Sequence, residues 1–382
     1  MSAEAGLPPL GLYVHLPWCV RKCPYCDFNS HELRTALPGE DYCEALLRDL
    51  EAELPLVWGR AVHTVYFGGG TPSLFSAMLI ERLIAGFRAR LELAPGAEIT
   101  LEANPGTVER DHFAAYREAG VNRVSLGAQS YDASCLTALG RIHGPGEILR
   151  ATDSLHAAGF DNFNLDLMFG LPGQSIEMAL DDVDQALAAR PTHLSHYQLT
   201  LEPNTAFAAR PPRLPDDEHC WAMQEACGER LAQAGFEQYE ISAWCQPGHE
   251  SRHNMNYWHF GDYIGIGAGA HGKLTLPAQG EVRRRIKQRH PKRYLAGDAL
   301  AQDEAVSKAD LAFEYFLNAL RLRRGFSLRQ FTQRTGLALA DIAEPLQEAQ
   351  RKGLLEERNG QFQPTPLGWR FSNDLQGLFL PG

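Results

Sequence analysis

From residue 10 to about 235, short apolar runs alternate with helical patterns, and this alternation limits the fold more than any other feature of the chain. The runs fall at 10–15, 62–67, 98–102, 123–126, 162–167 and 193–199. Each is brief, bounded by Gly or Pro, and apolar enough to predict burial on both faces. Helical patterns lie between them. Residues 41–54 place Ala45, Leu46, Leu50 and Leu54 on one face, 108–119 stops at Gly120, and 148–158 stops at Gly159. Strand–helix alternation repeated six times predicts parallel strands joined by right-handed crossovers. Six units without an obvious seventh or eighth predict an incomplete α/β barrel; the pattern alone leaves an open doubly wound sheet as the alternative.

The remainder reads differently. Residues 236–302 are rich in aromatics, histidines and glycines and predict an irregular connecting segment. From 303 to 382, helical patterns at 308–322, 327–334 and 339–352 precede a hairpin turn at Asn359-Gly360, an arrangement similar to a winged helix. The domain division is therefore 1–235, 236–302 and 303–382. A winged helix alone does not assign DNA binding, and the net charge of -11 argues against nucleic acid as the main partner. The last domain is read as a lid or partner surface. Residues 1–6 lack the basic and apolar regions of a secretory signal, and no run approaches the roughly 20 apolar residues of a membrane span. Both features predict a cytoplasmic protein.

Three of the eight cysteines form a C-x3-C-x2-C run, Cys19, Cys23 and Cys26, directly after the first strand. Clustered thiols in a reducing compartment bind metal or react. A structural zinc normally takes four protein ligands, and a cubane takes one thiolate per iron, so three thiolates leave one iron open to a chelating ligand. A reduced thiol cluster and a zinc knuckle with a distant histidine are the alternatives. Cys43, Cys135, Cys220, Cys227 and Cys245 are scattered and read as buried apolar residues. Loops at strand C-termini form the active face of a βα barrel, so the thiols belong there, with Tyr25 and Phe28 placed to shield them. The second strand runs into Gly68-Gly69-Gly70-Thr71-Pro72, a turn suited to close backbone approach with free N–H and C=O groups; it lacks the Lys of a P-loop. Glu102, Gln129, Arg141 and Asp166 lie at or just beyond later strand ends, the pattern a polar ligand needs.

The cysteine spacing resembles that of the radical S-adenosylmethionine (SAM) proteins. The resemblance implies a [4Fe–4S] cluster on Cys19, Cys23 and Cys26 with SAM at the open iron, on a partial (β/α)6 barrel. It implies a SAM-binding set of Tyr13, Tyr25, Gly69, Gly70, Thr71, Glu102, Gln129, Arg141 and Asp166. Carboxylates suit the cationic and ribose groups of SAM, and an Arg forks onto its carboxylate. Tyr13 through Phe28, Glu102-Ala-Asn-Pro105, Ser125 through Ser130, Arg141-Ile-His143 and Asp166 through Gly173 are similar to the coproporphyrinogen-dehydrogenase branch, as is the C-terminal winged-helix-like α+β domain. Two features depart from that branch. Phe28 stands where the dehydrogenases carry a further cysteine, and about ten residues precede the first strand in place of a longer extension.

Both departures resemble the HemW family of haem chaperones. So do Ser251-Arg-His253-Asn254-Met-Asn-Tyr257-Trp258, similar to the family's H-N-x-x-Y-W motif, Asp262 through Gly272, and Phe316 through Leu322. The resemblance implies a protein that binds haem and delivers it to an acceptor protein, with membrane contact only through that acceptor. Coproporphyrinogen III dehydrogenase and another radical SAM enzyme, such as a methyltransferase, are the alternatives. His253, His259, His271 and Cys245 are the haem-ligand candidates, with His253 favoured by its motif. No C-x-x-C-H attachment signal is present. The basic run from Arg283 to Arg293 suits haem propionates, an acidic acceptor or a solvated loop.

Overall fold

The computed structural model describes residues 6–107 and 110–381. Residues 1–5, Val108, Glu109 and Gly382 lie outside it, and with them most of the segment read for a signal and the first turn of the 108–119 helix. That helix is described over Arg110–Glu118.

Six strands, β1 (Leu10–Leu16), β2 (Ala61–Gly69), β3 (Glu92–Ala103), β4 (Arg123–Gln129), β5 (Phe163–Phe169) and β6 (His193–Gln198), lie side by side in chain order and pair in parallel. Order without reversal is that of a barrel wall, whereas a doubly wound sheet reverses at a switch point. The incomplete barrel is therefore the fold.

An incomplete barrel has two open edges, and the 236–302 segment covers both. This corrects the expectation of an irregular connector. Ala243–Cys245 pairs antiparallel with β6, and Glu237–Glu240 adds outside it. On the other edge Asp262–Ile266 pairs parallel with β1. His271–Leu276, Glu281–Lys287 and Leu300–Ala305 follow in antiparallel order, making 12 strands. The last of these runs through the boundary placed at 303. Its neighbour reads Glu-Val-Arg-Arg-Arg-Ile-Lys, so charge masks its strand period.

Barrel strands such as β1, β4 and β5 are buried on both faces as expected, but only their outer face is apolar. Leu10, Leu12, Val14 and Leu16 of β1 point outward into the core shared with the helices, as do Leu101, Leu126 and Leu165 of later strands. The alternate residues point inward and are polar: Thr64 and Tyr66, Thr100 and Glu102, Arg123 and Ser125, Asn164 and Asp166. Buried polar groups need partners. Arg252–Trp258, a short helix, supplies them by plugging the barrel at its lower end, where Glu98 accepts from the backbone N–H groups of Arg252 (3.1 Å) and His253 (3.0 Å).

The strand part of the basic run, from Arg283 to Lys287, is likewise held in ion pairs. Lys287 donates to Asp49 and Glu53 of the Gly39–Val57 helix, each at 2.5 Å, and Arg285 donates to Glu53 at 2.8 Å and to Asp303. Arg283 pairs with Asp303 at 2.7 Å and Arg284 with Glu314. This network bolts the first barrel helix to the added strands.

Beyond residue 305, helices Lys308–Ala319, Leu328–Thr335 and Ala343–Arg351 precede the hairpin Leu355–Arg358/Gln361–Pro364. Asn359 (φ 54°) and Gly360 (φ 76°) are both left-handed, as a two-residue hairpin requires. An aromatic cluster of Tyr315, Phe316, Phe326 and Phe331 forms this domain's core, and Phe260 from the barrel extension packs into it.

Lys287→Ala leaves Asp49 and Glu53 buried without their shared cation. Removing one partner of a buried pair costs about 3–5 kcal/mol, so the urea midpoint should fall steeply, and an unchanged midpoint would remove the bolt from the account.

Candidate functional site

At the upper end of the barrel the three cysteines line a cavity of about 150 Å³ together with Gly69, Gly70 and Thr71, the side chains of Tyr25, Glu102 and Gln129, and Arg141 and Asp166. All the expected cofactor residues except Tyr13 meet there. The loop that carries the thiols is held by short-range pairing. Trp18–Cys19 pairs with His31–Glu32, Cys26 N–H donates to Cys23 O at 3.2 Å, and Lys22 donates to Phe28 O at 3.1 Å. All eight cysteines are free, and the five scattered ones are buried. Burial raises the pKa of Cys19 and of Cys26, so both carry protons that metal binding would displace. Among the described residues no three His, Cys, Asp or Glu side chains are placed to hold a single metal ion.

The glycine turn differs from its expected use. Gly69 N–H donates to Glu102 Oε2 at 3.1 Å, Gly70 N–H to Leu16 O at 2.8 Å, and Thr71 N–H to Trp18 O at 2.7 Å. The donors are taken, so backbone contact with a ligand would use acceptors, which suits an ammonium. Glycine is needed for proximity: a Cβ on Gly70 would lie 2.5 Å from Trp18 O, and Gly69 has φ +120° with His15 at 2.6 Å from its Cβ position.

Arg141 donates to Cys23 Sγ at 3.5 Å and to Gly127 O at 2.9 Å, while its buried Nε has no partner. Gln129 holds a left-handed backbone (φ 69°) at the end of β4 and accepts from Tyr197 OH at 2.9 Å. Such strain in a non-glycine residue persists only where surroundings over-determine it. Asp166 accepts from Asn164 at 2.7 Å and from Ser125 at 3.4 Å. Tyr197, Asn164 and Ser125 were missed by sequence reasoning; their signal was the two-residue period that turns them inward with the residues that were found.

Three reduced thiols in one polar cavity, beside a guanidinium with an unspent buried donor and two carboxylates, fit a cluster and a zwitterionic, cationic ligand.

A second and much larger cavity, about 1190 Å³, adjoins the first and shares Phe28, Gly69 and Glu102 with it. Tyr13 lies here, 2.9 Å from His15 Nδ1 through its hydroxyl. Tyr257, Trp258 and Tyr263 supply aromatic walls; Leu317 and Asn318 bring in the C-terminal domain.

His253 does not face either cavity. Its Nδ1 hydrogen-bonds Thr64 Oγ1 at 2.8 Å, its Nε2 hydrogen-bonds Tyr257 OH at 2.7 Å, and its ring stacks on Tyr66. At 1% exposure, with both nitrogens engaged, it has no lone pair to give an iron. The motif's histidine locks the plug helix, and its Tyr257 and Trp258 reach the large cavity. Among the other candidates, His271 lines that cavity, His259 hydrogen-bonds Gln330 at 3.1 Å, and Cys245 is buried in strand pairing.

Residues 13–186 match the Radical SAM superfamily and residues 306–371 the HemN C-terminal domain. The heme chaperone HemW of Escherichia coli (strain K12) is 51% identical over 374 residues, covering 98% of this chain and 99% of that protein. That of Haemophilus influenzae is 47% identical over 378 residues, covering 98% of both. The chain belongs to the HemW family. Coproporphyrinogen III oxidase (HemN) from Escherichia coli shares its fold, with a TM-score of 0.82 at 24% identity over 98% of this chain and 90% of that one. On that common fold, this chain presents Phe28, 62% exposed, between the two cavities. No described helix is long and apolar enough to cross a membrane.

Burial, reinforced by Asp166, raises the pKa of Glu102 from 4.5 to about 7, against the hydrogen bonds from Tyr66 and Gly69. A carboxyl raised in the folded state adds stability below its unfolded pKa, and that contribution is lost as pH rises through the folded value. In the metal-free protein, wild type should therefore lose stability relative to Glu102→Gln between pH 4.5 and 7. Urea titrations at both ends of that window check it; parallel curves would refute the burial of this carboxyl.

Proposed function

We propose that this chain is a haem chaperone: it binds haem, carries a SAM-ligated [4Fe–4S] cluster, and passes haem to an acceptor protein. The observation that carries this reading is the pair of adjoining cavities, one lined by thiols and polar groups, the other large, aromatic and flanked by cations. Cys19, Cys23 and Cys26 would hold the cluster. Arg141 and the acceptors of the glycine turn match the carboxylate and ammonium of SAM, while Glu102, Gln129 and Asp166 match its hydroxyl and cationic groups. When bound, the cluster supplies an open coordination site and a one-electron couple. Tyr25, packed on Phe207, would shield the thiols, whereas Phe28 is exposed where the two cavities meet.

The large cavity suits haem by size and lining. Drug-sized ligands occupy about 300–1,000 Å³, and this space is at or above that range. It opens beside the cluster site, so cargo and cofactor would share the wall made by Phe28 and Glu102. Support for the chaperone reading over the dehydrogenase comes from Phe28 at the position of the dehydrogenases' further cysteine. The cytoplasm is the compartment proposed, where free thiols persist.

Anaerobic reconstitution tests the whole reading. The protein should take up about four irons per chain, bind haem saturably, and leave coproporphyrinogen III unconverted with SAM and reductant. Turnover of coproporphyrinogen would overturn it. The Cys19, Cys23, Cys26→Ala triple variant should lose cluster absorbance and keep haem binding. Arg141→Ala should weaken SAM binding about ten- to a hundred-fold, the loss of a charge-assisted contact. His253→Ala should cost about 1–3 kcal/mol in stability by stranding buried partners, yet leave the Soret band in place. A bleached Soret band in the still-folded variant would restore His253 as ligand.

A further inference from the structure

The haem reading above, on which this inference rests, requires a side chain with a free lone pair for iron and a counter-charge for two carboxylates. The hydroxyls of the tyrosines that line the cavity are engaged, Tyr13 with His15, Tyr257 with His253 and Tyr263 with Arg284. Most histidines near the large cavity are already committed. His15 hydrogen-bonds Tyr13 OH and Asn29 O, both at 2.9 Å. His290 takes the Lys292 N–H at 3.2 Å as a helix cap. His253 is locked beneath the sheet.

His271 is different. It opens the His271–Leu276 strand, lines the cavity at its exposed mouth, and its ring makes no hydrogen bond among the described residues. The ladder explains its direction. His271 lies opposite Ile286 and Lys273 opposite Arg284, so these four side chains share one face of the sheet. All four line the cavity. Along that face the charges are spent: Lys273 donates to Asp262 at 3.2 Å, and Arg284 pairs with Glu314 and donates to Tyr263 OH at 2.6 Å. The imidazole is the group left over.

Two cations follow on the same rim. Arg289 and Arg293 line the cavity, are exposed, and make no ion pair among the described residues, whereas Arg283, Arg284, Arg285 and Lys287 just before them are all paired. Asn29 donates to the Arg289 carbonyl at 2.9 Å and to Ala268 O at 2.8 Å, fixing the backbone on which the free guanidinium stands. Asn29 is also the residue whose carbonyl engages His15, so the rim is tied to the cysteine loop.

We infer that haem enters this cavity with His271 as its iron ligand and with Arg289 and Arg293 on its propionates. The aromatic walls of Tyr257, Trp258 and Tyr263 then face the macrocycle. A ligand at the mouth rather than the floor leaves haem within reach of an incoming acceptor, as transfer requires.

The test uses the full chain titrated with haemin, with circular dichroism confirming each variant's fold. His271→Ala should shift or weaken the Soret band and lower affinity about tenfold or more. Added imidazole should restore the band position in His271→Gly, an effect that a merely structural histidine would not show. His219→Ala, at an exposed histidine that lines neither cavity, should behave as wild type. The Arg289→Ala, Arg293→Ala pair should lose about tenfold or more in haemin affinity, with no loss toward haemin dimethyl ester, which lacks the carboxylates. A wild-type Soret band and affinity in His271→Ala would overturn the ligand assignment, and equal losses for haemin and its ester would overturn the propionate assignment. If the wild-type chain binds no haem saturably, the chaperone reading itself fails, a result distinct from either.

Discussion

The inner face of an incomplete barrel is the constraint on which the rest of this structure depends. A closed barrel fills its interior with apolar side chains from facing strands; six strands have nothing opposite them. Here the inward positions are polar, and each must find a partner or face water. At the lower end the partner is the plug helix, capped by Glu98 and locked by His253. From the plug a chain of hydrogen bonds climbs the wall: Ser251 to Tyr239, Tyr239 to His193, His193 to Asn164, and Asn164 to Asp166. The carboxylate facing the upper cavity is thus oriented by contacts that begin at the opposite end.

The two open edges impose a second requirement, because exposed strand edges invite pairing with other chains. The added strands meet it on both sides, and on the β1 side they do more. Continuing the inner face past β1, they carry Tyr263, Lys273, His271 and Arg284 along the same row and so create the large cavity beside the small one. The buried Lys287–Asp49–Glu53 group fastens this extension to the first helix. Tyr42 reinforces it, donating to His15 O at 2.9 Å and accepting from Ala268 N–H at 2.8 Å. Edge cover and ligand wall are one piece of structure.

Charge is sorted along this extension. A buried ion is tolerated only with a partner, and the strand cations have theirs. The C-terminal domain joins the same scheme, with Glu314 pairing Arg284, and Arg321 pairing Glu240 while lying over the Trp258 ring. These contacts set Leu317 and Asn318 against the cavity, so the small domain is a wall of the site rather than an appendage.

The sequence by itself determined the parallel βα units and the grouping of the thiols, while the unreversed strand order of the folded chain decided for a barrel over an open doubly wound sheet. Six short runs spaced by helices allow only parallel crossover units, and a cysteine spacing, a glycine turn and polar strand ends need no distant partner to be recognised. The paired turn at Asn359-Gly360 was equally legible, since its backbone demand is local. The tertiary structure alone decided the rest. Strands such as 281–287 show no apolar period because their side chains are satisfied by Asp49, Glu53 and Asp303, all distant in sequence. His253 looked like a ligand because motif position says nothing of where lone pairs point; folding spends both nitrogens on Thr64 and Tyr257. His271, whose ring makes no hydrogen bond among the described residues, acquires meaning only when the ladder turns it toward a cavity that no single stretch of chain contains.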